Sequence, residues 1–473
     1  MINFKFAFTI CLLLLITLPA SAQQNPEKLL KNTNWIQKGY GRCLKIDDSS
    51  YTYYNINSID CKALANGKFS GRFRIVSLTK NELVLNPGGI VNYVFNKVDS
   101  LPSICSNPNL VTASYEDNFN VFWNTFNDNY AFFNERNINW KQVYTEYLPR
   151  VKKIGSPKEL ADILVEIVKK IGDGHIRLEI PDSLKTKTTA ATPTVITTAP
   201  VIRRTKEDII KNINDKYLVN THSYNNGVIN WGQLKGSKTS YIQIKDMNNF
   251  SNYIPTAEQH QPDFAKKYDK IKESKDPIVQ FDDEHKGVDM IMKKILSDIK
   301  QSDSVIIDLR FNGGGLETVA FRLLSYFVTE SKPVISITTK TAEGYTAKQT
   351  YVLHPSNSRY KGKVCVLLSS GTASAAEIFA LAARNYKNIS STGSRTNGIF
   401  SEILWKELPN GWEFSLSNEI YTDLKGKTYE AIGVPVDQEM NYSRNRLEFY
   451  NSFYSGDQFT DSAIERIKNV RSK

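Results

Sequence analysis

Apolar and polar positions alternate through the first hundred residues. "YGRCLKI", "SYTYYNI", "GRFRIVSL", "ELVLN" and "VNYVFNKV" change face at each step, the period of a half-buried strand. Asn66-Gly67 and Pro87-Gly88-Gly89 supply turns between them. Together they predict a small all-β domain over residues 23–110. The period changes after "DSLPSICSNPN". Phe119, Phe122, Trp123, Phe126 and Tyr130 recur at helical spacing, and "NINWKQVYTEYLPRV" and "SPKELADILVEIVKKIG" predict two further helices, the second opened by Ser156-Pro157. Residues 111–180 therefore read as a helical cap domain with an aromatic stripe as its core.

A threonine-rich stretch, "KTKTTAATPTVITTAP", follows, so residues 181–236 read as a linker or surface excursion that ends in a helix pattern, "KEDIIKNINDKYL". From residue 237 strands and helices alternate. "TSYIQIKDM" is a strand, residues 257–302 are charged and mostly helical, and "SVIIDLR" is an unbroken apolar run expected of a strand buried on both faces. A helix from Leu316 to Thr329 is predicted after "NGGG". "VLLSSGTASAAEIFALAARN" then begins as a buried strand and continues as a helix with Ile378, Phe379, Leu381 and Ala382 on one face. "EILWKEL", "PNG" and "WEFSLSNEIYT" close an α/β core over 237–450, and residues 451–473 form a helical tail. No internal repeat is present.

The 473 residues suffice for two to four domains. Lys5, the apolar run Phe6 to Leu18 and "PASA" before Gln23 mark residues 1–22 as a secretory signal cleaved after Ala22. That run is too short to span a bilayer, and no later segment is long enough, so the mature chain is expected to be soluble and extracytoplasmic, periplasmic or secreted. The net charge of +11 is scattered lysine without an arginine-rich block, which argues against nucleic acid as a partner. An oxidising compartment favours a disulfide among Cys43, Cys61 and Cys105, the pairing left open, with Cys365 a small buried hydrophobe. His222, His260, His285 and His354 lie in polar surroundings and read as surface residues. Without metal-ligand spacing among them, neither a metal nor a cofactor is expected.

Three stretches carry chemistry together: "IGDGHIRL" with His175, "IIDLRFNGGG" ending in Gly313 to Gly315, and "SSGTASAAE" with Ser374. Alone, Ser374 reads as a helix cap, His175 as a turn histidine and the glycines as a tight turn. In combination they describe an acyl-transfer site. Ser374 opens a helix, where the amide of Ala375 is unsatisfied and the dipole is positive, and glycine backbone can bring a second amide close. His175 supplies a general base. Asp308 and Arg310 read as a structural ion pair. "SLTK" at Ser77 and "SRYK" at Ser358 match Ser-x-x-Lys by chance, without partner motifs.

In these motifs the chain resembles the tail-specific, C-terminal processing serine peptidases and their tricorn-core and interphotoreceptor-retinoid-binding-protein-like relatives, over roughly 111–180 and 237–440. The resemblance implies a ClpP/crotonase-like core and a serine nucleophile at Ser374. The processing peptidases place a lysine base where Ile399 stands here. The tricorn-like branch instead implies His175 as base and Glu430, in "YEAIGVPVD", as the supporting carboxylate. That branch has a serine where Gly174 stands. No peptide-binding PDZ insertion is recognisable. The expected reaction is peptide-bond hydrolysis of a peptide or protein substrate. Ser374, His175 and Glu430 would be catalytic, and Ala375 with Gly314 or Gly315 would form the oxyanion hole. A non-catalytic protein binding a hydrophobic ligand or peptide on the same scaffold is the alternative.

Overall fold

A computed structural model describes residues 29–106, 111–185 and 204–471. The signal reading over 1–22 and nearly all of the threonine-rich stretch lie outside the described residues. Seven antiparallel strands form the N-terminal sheet, which holds the five expected strands and two more, Thr33–Gln37 and Cys61–Lys68. Trp35, Leu44, Tyr53, Leu83 and Phe95 fill its own core. Cys61 and Cys105 are disulfide-bonded, tying the edge strand to the chain leaving the sheet, while Cys43 and Cys365 are buried and outside the disulfide.

Helices Tyr115–Asn129, Trp140–Val151 and Pro157–Ile171 follow. Each starts on a side-chain cap, from Ser114, Asn139 and Ser156 respectively. The aromatic stripe is core as expected: Phe119, Phe122, Phe126 and Tyr130 are buried together with Leu404, Phe414 and Leu416 of the later strands. Apolar burial thus fixes the helices onto the α/β core.

The central sheet runs in the order Gln438–Glu439, Ile389–Gly393, Lys363–Leu368, Ser304–Asp308, Thr239–Ile244, Ile229–Leu234, Leu218–Tyr224. The first five strands are parallel and the last two antiparallel. This corrects the reading of 181–236 as an excursion. Residues 206–217 are the expected helix, but two strands after it extend the core sheet. "INWGQL" carries polar residues at positions that turn out to be buried, which hid its strand character. The helix after "NGGG" is Glu317–Leu324, shorter than expected, because the chain tightens into turns at Ser325 to Phe327. His285 is half-buried, not a surface residue, because its helix, Pro277–Asp298, packs against helix Glu317–Leu324 and the turn Phe69–Gly71. His222, His260 and His354 are exposed.

Asp308 and Arg310 form the expected ion pair, fully buried, with a third member that no local pattern marks, Asp461 of the C-terminal tail, at 2.7 Å from the guanidinium. Removing one charge from such a buried set costs about 3–5 kcal/mol. The tail is therefore clamped beneath the strand that leads to the glycines. No helix among the described residues is long and apolar enough to cross a membrane.

Candidate active site

Adjacent parallel strands Ser304–Asp308 and Lys363–Leu368 end on the same edge of the sheet, so the loops after them meet. One loop carries Gly313 to Gly315 and the other carries Ser374. Thr372 and Ser369 hydroxyls donate to the carbonyls of Leu309 and Arg310, at 2.8 and 2.6 Å, and lock the loops together. Gly314 lies so close to the serine that an added Cβ would stand 2.6 Å from Ser374 Cβ. Its φ of +112° is also one that side chains rarely adopt.

Ser374 itself has φ 54° and ψ −125°, an uncommon conformation for a non-glycine residue, and stands at the start of helix Ala375–Ala383. Such backbone costs about 1–3 kcal/mol and is retained where the surroundings over-determine it. Here they do. Its amide donates to Ile399 O at 3.0 Å and to Glu377 Oε2 at 3.2 Å. Glu377 also accepts from the amides of Gly398 and Ile399, at 2.7 and 2.8 Å. Burial outweighs these donors and pushes its carboxyl up to about 7. Glu377 thus clamps the 398–399 loop onto the start of the serine's helix. The amides of Ala375 and Gly315 have no partner among the described residues, whereas that of Gly314 donates to Asn312 Oδ1 at 2.8 Å.

His175 follows the last cap helix, Pro157–Ile171, in a turn beside Ile399. Leu178–Glu179 pairs antiparallel with Glu413–Ser417, in register Phe414 with Leu178. Ser415 Oγ donates to His175 O at 2.7 Å and accepts from Arg177 N at 2.9 Å, so one serine fixes the histidine's backbone. The ring is buried. Burial pulls its pKa below the ordinary value, opposed by Asp173 and a backbone hydrogen bond at Ser401, and reinforced by Arg177 and Arg136. Nδ1 is buried without a partner among the described residues. Among the described residues no hydrogen bond joins this ring to the Ser374 hydroxyl. Ile399 touches both segments: its carbonyl accepts from Ser374 N, and its side chain lies 3.2 Å from where a Gly174 Cβ would be.

Glu430 is buried. Arg136 Nη2 donates to its Oε1 at 2.6 Å and Phe400 N to its Oε2 at 2.8 Å. Burial, then Asp173, pushes its carboxyl up to about 8. Sequence reasoning missed Arg136, Asp173 and Glu377. The last two lie inside the motifs "IGDGH" and "SAAE"; Arg136, in "FNERNINW", carries no signal that separates it from a solvated charge.

Residues 238–440 match the model of peptidase family S41, and residues 111–169 match that of the tricorn protease C1 domain. The tail-specific protease of Haemophilus influenzae is 28% identical over 133 residues, 28% of this chain and 18% of that protein, so the match spans less than a fifth of the relative's length. A candidate peptidase from Parabacteroides merdae aligns with TM-score 0.53 at 21% identity, covering 76% of this chain and 97% of that one. Mature CPAF complexed with lactacystin aligns with TM-score 0.51 at 11% identity, covering 76% and 98%. At such identities the two structures show a shared α/β fold. The two family matches take in both the segment bearing Ser374 and the one leading to His175: residues 238–440 form a core of the peptidase family S41 type, with a segment similar to the tricorn C1 domain ahead of it.

Proposed function

We propose that this protein is an exported serine peptidase in which Ser374 attacks the peptide carbonyl and His175 is the base. The carrying observation is the strained backbone of Ser374, held against Gly314 at a helix start beside an unpartnered Ala375 amide. A nucleophile in that setting presents its hydroxyl at the mouth of a turn, with the helix dipole behind it. His175 takes the hydroxyl proton and returns it to the leaving amine. The oxyanion is held by Ala375 N with Gly315 N, the glycine amide not already engaged; Gly314 provides the close approach. Glu430 completes the buried polar wall behind the histidine. Ile399 cannot accept a proton, which disfavours a serine–lysine pair. The leader-like residues 1–22 support export.

The reading as a binding protein draws on one observation, the unpartnered His175 Nδ1. Catalytic hydrogen bonds commonly tighten only once substrate is engaged, so it does not outweigh the serine's geometry. Labelling by a fluorophosphonate probe separates the two. Wild type is expected to label and Ser374→Ala not to, with unchanged melting. A wild-type protein that neither labels nor cleaves peptides would favour binding; turnover retained by Ser374→Ala would overturn the nucleophile.

A further inference from the structure

The polar network behind His175 assigns its two carboxylates different tasks. Asp173, two residues before the histidine, has a fully buried side chain. Its Oδ1 accepts from His175 N at 2.9 Å and its Oδ2 from Tyr130 OH at 2.9 Å. Arg136 Nε stands 3.7 Å from Oδ2. The same guanidinium donates from Nη1 to Gly172 O at 2.7 Å and from Nη2 to Glu430 Oε1 at 2.6 Å. Glu430 has its other oxygen on Phe400 N. Both Glu430 oxygens are therefore engaged, one by a cation and one by backbone, and neither is on the imidazole. Asp173 is the carboxylate that shares the histidine's turn.

Resting on the reading of His175 as base, we infer that Asp173 is a positioning residue that fixes the His175 turn and answers the imidazolium charge, while Glu430 acts on that turn only through Arg136. The step it serves is a proton transfer. The Ser374 O–H bond breaks as Oγ bonds to the substrate carbonyl carbon, the proton moves to the imidazole, and the carbonyl π pair moves to oxygen. The positive charge then on the ring is buried, and a buried charge needs a compensating partner. The charged groups acting on the ring are the Asp173 carboxylate, anchored on the His175 amide at 2.9 Å, and, against it, Arg177 of the same turn and Arg136 of the preceding segment. Arg136 sets the two carboxylates at a fixed separation and links the 172–175 turn of the cap to the 430 loop of the core.

Peptide hydrolysis followed against pH tests this. Asp173→Asn is expected to lower kcat at least about tenfold with KM little changed, and to move the acid limb to lower pH, because the histidine loses an anion that raises its pKa. Glu430→Gln keeps acceptor and shape; it is expected to reduce kcat less and to leave the acid limb in place. Tyr130→Phe, which removes one hydrogen bond from Asp173 and no charge, guards against loss of fold in Asp173→Asn and should give a smaller loss in the same direction. A limb that moves in Glu430→Gln, or one that stays in place in Asp173→Asn, would overturn the assignment. His175→Ala serves as the separate control: activity surviving it would remove the base itself, whereas inactivity there with an inert Asp173→Asn would remove only the role given to Asp173.

Discussion

The two sides of the site are built by different physics. The serine side is local and made of backbone. Two neighbouring parallel strands end together, a glycine admits close approach, and a buried glutamate three residues into the helix holds the loop opposite. The histidine side is non-local and made of charge. It joins a turn at 172–175, an arginine at 136 and a loop at 430 through ionic hydrogen bonds, and a short strand pairing brings it to the core. A sterically defined nucleophile tolerates no added atom, while a charge network tolerates isosteric change but answers to pH. On the proposed mechanism the reaction thus depends on shape at one partner and on electrostatics at the other.

Removal of the base is the harshest break on the charged side. His175→Ala is expected to lower kcat/KM by at least about 100-fold, the lower bound for a general base. Steady-state hydrolysis with the same peptide measures it. A loss below tenfold would mean that the proton goes elsewhere and that the charge network serves structure alone. On the shape side the matching break is Gly314→Ala. The new methyl would meet Ser374 Cβ at 2.6 Å and Ala373 O at 2.9 Å, from a backbone at φ +112°. Overpacking of this kind costs about 1–3 kcal/mol and shifts the neighbour. A kcat at least about tenfold lower and a measurably lower melting temperature are expected, with the acid limb unmoved. If that limb moved, the two sides would not be separable.

How much of this could be read from the chain follows the same division. Strands and helices of the core were legible because their periods are set by burial, and Ser374 was legible because strand, small residues and helix stand in one unbroken stretch. The strands at 218–234 escaped because their sheet buries polar side chains such as Asn230, which bonds Gly227 O and Gln243 within the sheet. Glu430 could be named by family pattern, yet its environment could not, since Arg136 lies 294 residues away along the chain. Asp461 on Arg310 escaped for the same reason, across 151 residues. Periodicity reports burial along one element and says nothing of which distant charges burial will bring together.

A milder break concerns the histidine side in the unaltered protein. His175 must be neutral to accept a proton, and burial lowers its pKa, so the rate should rise with pH and level off below the ordinary histidine value of about 6.5. Hydrolysis rates across a pH series check this. A limb centred above that value would contradict burial as the leading influence on the ring.

The smallest expected effect lies on the serine side and appears in stability rather than rate. Glu377 is fully buried and its carboxyl is pushed from an ordinary 4.5 up to about 7. The folded protein therefore holds its proton over a range where the unfolded chain has lost it. Stability from this source is complete below about 4.5 and is lost as pH rises through about 7, up to about 3 kcal/mol for that span. Glu419, pushed up to about 7, and Glu430, up to about 8, slope the same way, so the variant must be read against wild type. Glu377→Gln cannot titrate, and its amide would face one of the Ser374, Gly398 or Ile399 N–H groups without an acceptor, at about 1–3 kcal/mol. It should melt lower than wild type at pH 4.5, and the gap should narrow towards pH 7. A constant gap across that range would mean that Glu377 is ionised throughout, held so by its three amide donors, and that the serine side, too, is governed by charge.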